Sequence, residues 1–194
     1  MALFRLQCDF RCFVPQTPHD ENCDETKMGT GFLAIVPGFG KAILTAHHVV
    51  SNAVLIKATT PERPDVEAEI LEIVGYNPHL DVALLRPTPA LLDLPAFPLG
   101  ESATLAPQRK VSVLGFAGGD IQKHITTGTV SGRHEYPHNR VRTDAAVNPG
   151  NSGGPVIVDG RVVGVVTSGM DHMQGTNFFV SIDEARLAFA RILR

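Results

Sequence analysis

At 194 residues the chain is long enough for one large domain or two small ones, and folding at that size buries roughly 70% of the unfolded surface, so a substantial core is expected. A composition of 43% hydrophobic and 19% charged residues, with 18 Gly and 14 Pro, is that of a turn-rich globular protein and leans towards many short strands. The net charge of -3, without any run of Lys or Arg, argues against nucleic acid or an anionic membrane as the main partner and leaves protein or peptide. The opening Met1–Gln7 has only a short apolar run, broken by Arg5, and no segment approaches the length of a membrane span, so a cytoplasmic location is expected.

Taken in order, Phe4, Leu6, Cys8, Phe10, Cys12 and Val14 are apolar with Arg5, Gln7, Asp9 and Arg11 between them, the period-two pattern of a half-buried strand. The three cysteines, Cys8, Cys12 and Cys23, form an odd set near the start, unlike a disulfide framework, and reduced thiols are expected. With His19 they offer zinc-ligand types, but the spacing fits no common zinc module and a strand splays Cys8 and Cys12 apart; no metal or other cofactor is expected. Gly29–Val36, a turn at Pro37–Gly40 and Lys41–Thr45 read as a hairpin whose second arm runs on into Ala46-His47-His48-Val49-Val50. Two adjacent histidines at the end of a strand point to opposite sides, so at most one faces a cleft.

Ala53–Thr59 and Val66–Val74 are further strands, followed by a turn at Gly75–Pro78. Asp81 then stands at the mouth of the apolar strand Leu80–Arg86, where an ionised carboxylate needs a partner or must cap the turn before it. The strand pattern lapses between Pro87 and Gln108, a crossover between two halves, and returns in Lys110–Phe116 and Gln122–Gly132. Pro155–Val158, Asp159-Gly160 and Arg161–Val166 predict a tight hairpin, because Asp-Gly supplies two positive-φ residues. Thr176–Ile182 is the last strand, and Asp183–Arg194 is a helix with Leu187, Ile192 and Leu193 among its apolar positions. About twelve strands in two groups of six predict an all-β fold of two packed six-stranded antiparallel barrels with a C-terminal helix. The expected divisions are 1–100 for the barrel with His48 and Asp81, 101–182 for the barrel with Ser152, and 183–194 for the helix.

The stretch Thr143–Pro155 sets Ser152 among three glycines and two prolines, a composition that suits a constrained loop as well as an ordinary turn. Gly150-Asn151-Ser152-Gly153-Gly154 fits the Gly-x-Ser-x-Gly elbow of α/β-hydrolases, but that elbow leads into a helix and is followed by its acid and histidine. Here a β-hairpin follows and only His172 lies downstream. The order His48, Asp81, Ser152 is instead that of a chymotrypsin-type triad.

Thr45-Ala46-His47-His48-Val49-Val50, Leu80-Asp81-Val82-Ala83-Leu84-Leu85 and Thr143–Pro155 resemble the three catalytic motifs of trypsin-like serine proteases, most closely the HtrA (DegP-like) branch. Gly29-Thr30-Gly31-Phe32, Leu94–Ser102 and Ile125–Ser131 continue the resemblance, which covers nearly everything from Gly29 to Ile182. It implies a serine endopeptidase acting on proteins or peptides. In this family the catalytic histidine directly precedes the Val-Val pair, so the match falls on His48, with Asp81 as its orienting partner and Ser152 as nucleophile. His47 is a neighbour without an assigned role.

The resemblance further implies an oxyanion hole at Gly150, Asn151 and Ser152, and a specificity pocket from Ala146, Val147, Thr167, Ser168, Gly169 and Asn177. No acid is placed there to bind Lys or Arg, so cleavage after small or medium apolar residues is expected. Digestive trypsins carry Asp where Asn151 stands and pair it with a newly cleaved N-terminus; with Asn151 that activation is not expected. HtrA proteins usually carry PDZ domains beyond the terminal helix and can trimerise. The sequence ends at Arg194, so the expectation is an isolated catalytic domain, one whose further domains have been cut away, or a stand-alone processing protease of the viral or bacterial kind, acting in protein quality control or polyprotein or protein processing, monomeric or trimeric. The competing expectation is a protease-like binding module without turnover.

Overall fold

The structure is a computed structural model that describes residues 1–11, 24–64, 68–103, 105–134, 140–169 and 175–192. The first half forms a seven-stranded sheet from β1 (Leu3–Arg11), β2 (Asp24–Val36), β3 (Gly40–Thr45), β4 (Leu55–Thr59), β5 (Glu69–Ile70), β6 (Glu72–Asn77) and β7 (Val82–Arg86), in the order β5-β4-β1-β2-β3-β7-β6. Its two edges, β5 and β6, are separated by Leu71 alone, whose N–H donates to the Ile56 carbonyl at 2.9 Å. One bent stretch of chain therefore joins both edges, and the sheet is a half-barrel. The second half, β8 (Lys110–Gly115), β9 (His124–His134), β10 (Arg140–Thr143), β11 (Pro155–Val158), β12 (Arg161–Gly169) and β13 (Asn177–Ser181), is a closed six-stranded barrel. The expected all-β class, with two barrel-type sheets and a terminal helix, is what the chain adopts.

Alternation in β1 works as the sequence predicts, with Phe4, Leu6 and Cys8 buried in the first barrel's core. Leu3 is buried as well, on the opposite face, because there β1 is covered by a second core between the barrels. That shared core brings Phe32 and Phe97, whose rings meet edge to face at 5.9 Å, together with Phe116, Val162 and Val180 of the second half. The crossover changes barrels within a few residues: Phe97 N–H donates to Leu33 of β2, whereas the Pro98 carbonyl and the Gly100 N–H pair with Val162 of β12.

Three local expectations change. His47–Val50 is a single helical turn, α1, rather than the end of a strand. β6 runs through Gly75 to Asn77, with a register shift between Ile73 and Gly75, so the turn comes later, at Pro78 to Asp81. The last strand stops at Ser181, and α2 (Ile182–Ile192) starts at once. α2 buries Ile182, Ala185, Ala188 and Phe189, while Leu187 is 62% exposed, because the helical repeat set by Ile182 and Phe189 turns Leu187 outward. The Asp159-Gly160 turn has φ of 49° and 74°, as a two-residue hairpin requires. Cys8 is free and buried, and burial pushes its thiol up to about 12; Cys12, His19, Cys23 and Leu193 lie outside the described residues.

Candidate active site

α1 begins where β3 ends and packs Val49 and Val50 into the first core, which leaves His48 beside the loop that presents Asp81. Both donors of His48 reach that carboxylate. The main-chain N–H lies 2.8 Å from Oδ1 of Asp81 and the ring Nδ1 lies 2.7 Å from Oδ2. The His48 side chain is 49% exposed and that of Asp81 only 13%, so the acid is shielded behind an open imidazole. Asp81 does not cap its own turn; Asn77 does, its Oδ1 accepting the Leu80 N–H at 3.0 Å. Asp81 itself adopts a left-handed φ of 60°, a conformation sparsely populated by residues other than glycine, which aims its side chain back at α1.

The serine loop is held from both barrels. The Thr30 N–H donates to the Ser152 carbonyl at 2.8 Å, and its hydroxyl donates to the Gly150 carbonyl at 2.7 Å while accepting from the Phe116 N–H at 3.1 Å. Gly153 N–H donates to the Val166 carbonyl and Val166 N–H returns to Gly154, stitching the loop to β12. Two glycines are required by this packing. Gly150 has φ +94° and a Cβ there would overlap the Phe116 carbonyl oxygen; Gly153 has φ +85° and a Cβ would overlap the Thr30 carbonyl and the Thr45 hydroxyl. A Cβ on Gly29 would likewise meet Val49 of α1 and lie 3.3 Å from the Ser152 carbonyl. The segments carrying His48 and Ser152 therefore abut across Gly29 and Gly153.

The Ser152 hydroxyl lies 3.5 Å from the Thr167 carbonyl, at the outer limit of a hydrogen bond. Within the loop, Asn151 N–H is used internally, donating to the Asn148 carbonyl at 3.0 Å. Among the described residues neither Gly150 N–H nor Ser152 N–H donates to a backbone carbonyl. The Pro149 carbonyl accepts from Gly118 N–H at 2.7 Å, and because a trans peptide sets its N–H opposite its C=O, Gly150 N–H points away from Gly118. The Asn151 side chain is buried, 1% exposed, and among the described residues its Oδ1 has no hydrogen-bond partner.

Of the expected pocket residues, Asn177 donates from Nδ2 to the Ala145 carbonyl at 2.8 Å and Ala146 accepts from the Thr126 hydroxyl at 2.7 Å, which ties the 145–147 segment to β13 and β9. Val147 packs partly buried on the core of the second barrel, and Thr167 is buried. Ser168 and Gly169 continue β12, paired with Phe178 and Asn177. A residue that sequence reasoning passed over is Thr30. Its signal was the Gly-Thr-Gly spacing at 29–31, which lets a hydroxyl be enclosed by close backbone.

The fold and these motifs define a chymotrypsin-type serine protease domain, and comparison with known proteins bears on it directly. The chain matches the family described as "Trypsin-like peptidase domain" over residues 29–165. It is 34% identical over 167 residues to a protein of Pseudomonas fulva named "Probable periplasmic serine endoprotease DegP-like", and 34% identical over 167 residues to one of the same name from Marinomonas sp.. Those matches take in 80% of this chain but 33% and 34% of the relatives, so the chain spans about a third of their length. Among solved structures, "HtrA-type protease AlgW with tripeptide" superposes with a TM-score of 0.80 at 25% identity, covering 100% of this chain and 60% of that one. The serine endoprotease from Yersinia pestis matches in fold with a TM-score of 0.74 at 22% identity, covering 100% of this chain and 63% of the other. The chain belongs to the trypsin-like peptidase domain family, in its HtrA branch. The expected cytoplasmic location is overturned by these relatives, which are named periplasmic. The opening residues had suggested it through their lack of a leader pattern, but they form β1 of the protease barrel and their composition reports a strand, not an address.

Proposed function

We propose that the domain hydrolyses peptide bonds through an acyl-enzyme on Ser152, with His48 as general base and acid and Asp81 as its orienting partner. The observation that carries this reading is the 2.7 Å contact between His48 Nδ1 and Asp81 Oδ2. A carboxylate there favours the tautomer protonated at Nδ1 and leaves Nε2 to accept a proton. As Ser152 Oγ attacks the scissile carbonyl carbon, its proton passes to His48 Nε2. The carbonyl oxygen becomes an oxyanion, which the N–H groups of Gly150 and Ser152 receive; Asn151, whose own N–H is spent on Asn148, links them. When the C–N bond breaks, the leaving amine takes the proton from His48. Water then adds to the acyl group by the same route in reverse, releasing the acid and restoring Ser152.

Ala146, Val147, Thr167, Ser168, Gly169 and Asn177 form the specificity pocket in this reading. The absence of an acid among them favours cleavage after small or medium apolar side chains. In this reading the two barrels divide between residues 100 and 101, with α2 beyond the second. Its substrates are proteins or peptides, in periplasmic quality control or protein processing, and assembly into oligomers of the HtrA kind is part of the proposal. A binding module without turnover is disfavoured because the relatives are named as endoproteases. The test is peptide hydrolysis by wild type, Ser152→Ala and Asp81→Asn. Asp81→Asn is expected to lose about 10⁴-fold in kcat, since the imidazole is then held in the wrong tautomer. Wild-type turnover by Ser152→Ala contradicts the reading.

A further inference from the structure

His47 is drawn into a contact that its position beside His48 does not require. Its ring stacks on that of Tyr76, with centroids 4.8 Å apart and planes 18° from parallel. α1 is only four residues long, and Ala46 gives it no side-chain cap. A single turn of helix is unstable by itself, so its orientation depends on what it packs against. Val49 and Val50 anchor one side in the core, and His47 supplies the contact towards β6. Tyr76 precedes Asn77, the residue whose side chain caps the turn that ends at Asp81, and Tyr76 and Asn77 pair with Ala83 and Val82 of β7. The stack thus bridges the two segments that carry His48 and Asp81, one residue from His48 and one from the turn-capping Asn77.

We infer that His47 and Tyr76 form a positioning clamp that holds the α1 turn against β6 and so keeps the His48 imidazole aligned on Asp81. This rests on the triad reading above. Burial lowers the His47 pKa, against the pull of Asp81 in the other direction and with the help of His48. Tyr76 is 53% exposed, so the contact contributes little to the core.

The test measures kcat, KM, thermal transition and the rate of Ser152 phosphonylation by a fluorophosphonate in Tyr76→Leu, His47→Leu, the double variant and Tyr76→Phe. Each leucine variant is expected to lose about three- to tenfold in kcat and in phosphonylation rate, the range an aromatic pair supplies, with KM unchanged. The double variant loses no more than the worse single one, and Tyr76→Phe keeps wild-type rates because the ring face is retained. Wild-type phosphonylation by Tyr76→Leu, additive losses in the double variant, or a change confined to KM or the thermal transition overturns the clamp. His48→Ala is run alongside: phosphonylation of Ser152 at the wild-type rate in that variant removes the triad reading itself, whatever the Tyr76 variants do.

Discussion

Thr30 donates its hydroxyl hydrogen to the Gly150 carbonyl at 2.7 Å, so a strand of the first barrel fixes the backbone of the nucleophile loop in the second. The same oxygen accepts Phe116 N–H, and all of these groups are buried. Thr30→Val keeps the shape and removes the hydroxyl, leaving a donor and an acceptor unpaired, each costing about 1–3 kcal/mol. A lower thermal transition and a reduced kcat are expected, with both restored in Thr30→Ser.

Gly150→Ala probes the loop itself. With φ at +94° and the Phe116 carbonyl in the way of a Cβ, alanine forces the Pro149–Gly150 peptide to turn and carries its N–H off the oxyanion site. Loss of one such donor costs about 10²- to 10³-fold in kcat. The His48–Asp81 pair, on the other barrel, is expected to be undisturbed, so KM for peptides changes far less than kcat.

Asn151→Asp recreates the residue that digestive trypsins use, in a site that is 1% exposed and where, among the described residues, the Oδ1 has no partner. An unpaired buried carboxylate has a raised pKa, so the folded state retains a proton that the unfolded state releases. The destabilisation is expected to grow as pH rises above the ordinary Asp pKa of about 3.9, visible as a thermal transition that falls from pH 4 to about pH 7 relative to wild type.

Asp183, in the first turn of α2, accepts from Ser102 N–H at 2.7 Å, Ser102 hydroxyl at 2.9 Å and Ala103 N–H at 2.9 Å, tying the terminal helix to the crossover. Burial works against its charge, but these hydrogen bonds outweigh it and hold the carboxyl below its usual pKa. The unfolded chain thus takes up the proton first, and this contribution is complete above about pH 4 and lost as pH falls through the depressed value. Acid unfolding of Asp183→Asn is expected to be flatter over that range, with lower stability at neutral pH.

Much of this was legible in the sequence because it depends on local pattern. The alternation of β1, the Asp159-Gly160 turn and the order of His48, Asp81 and Ser152 are written in short stretches of residues. What escaped depends on partners distant in the chain. α1 reads as the end of a strand because four residues carry no helical period, and its packing on β6 decides the matter. The join at Leu71 needs both sheet edges in view. Thr30 looks like any small polar residue until Gly150, 120 positions away, comes to its hydroxyl. Leu187 faces outward, which apolar character alone does not reveal.

The most direct measurement is mass-spectrometric mapping of the protein after reaction with a fluorophosphonate at neutral pH, in parallel with Ser152→Ala and His48→Ala. The account predicts one phosphonyl group per chain, on Ser152, absent in Ser152→Ala and strongly slowed in His48→Ala. Unmodified Ser152, in protein shown to be folded by its thermal transition, or labelling on another residue, contradicts it.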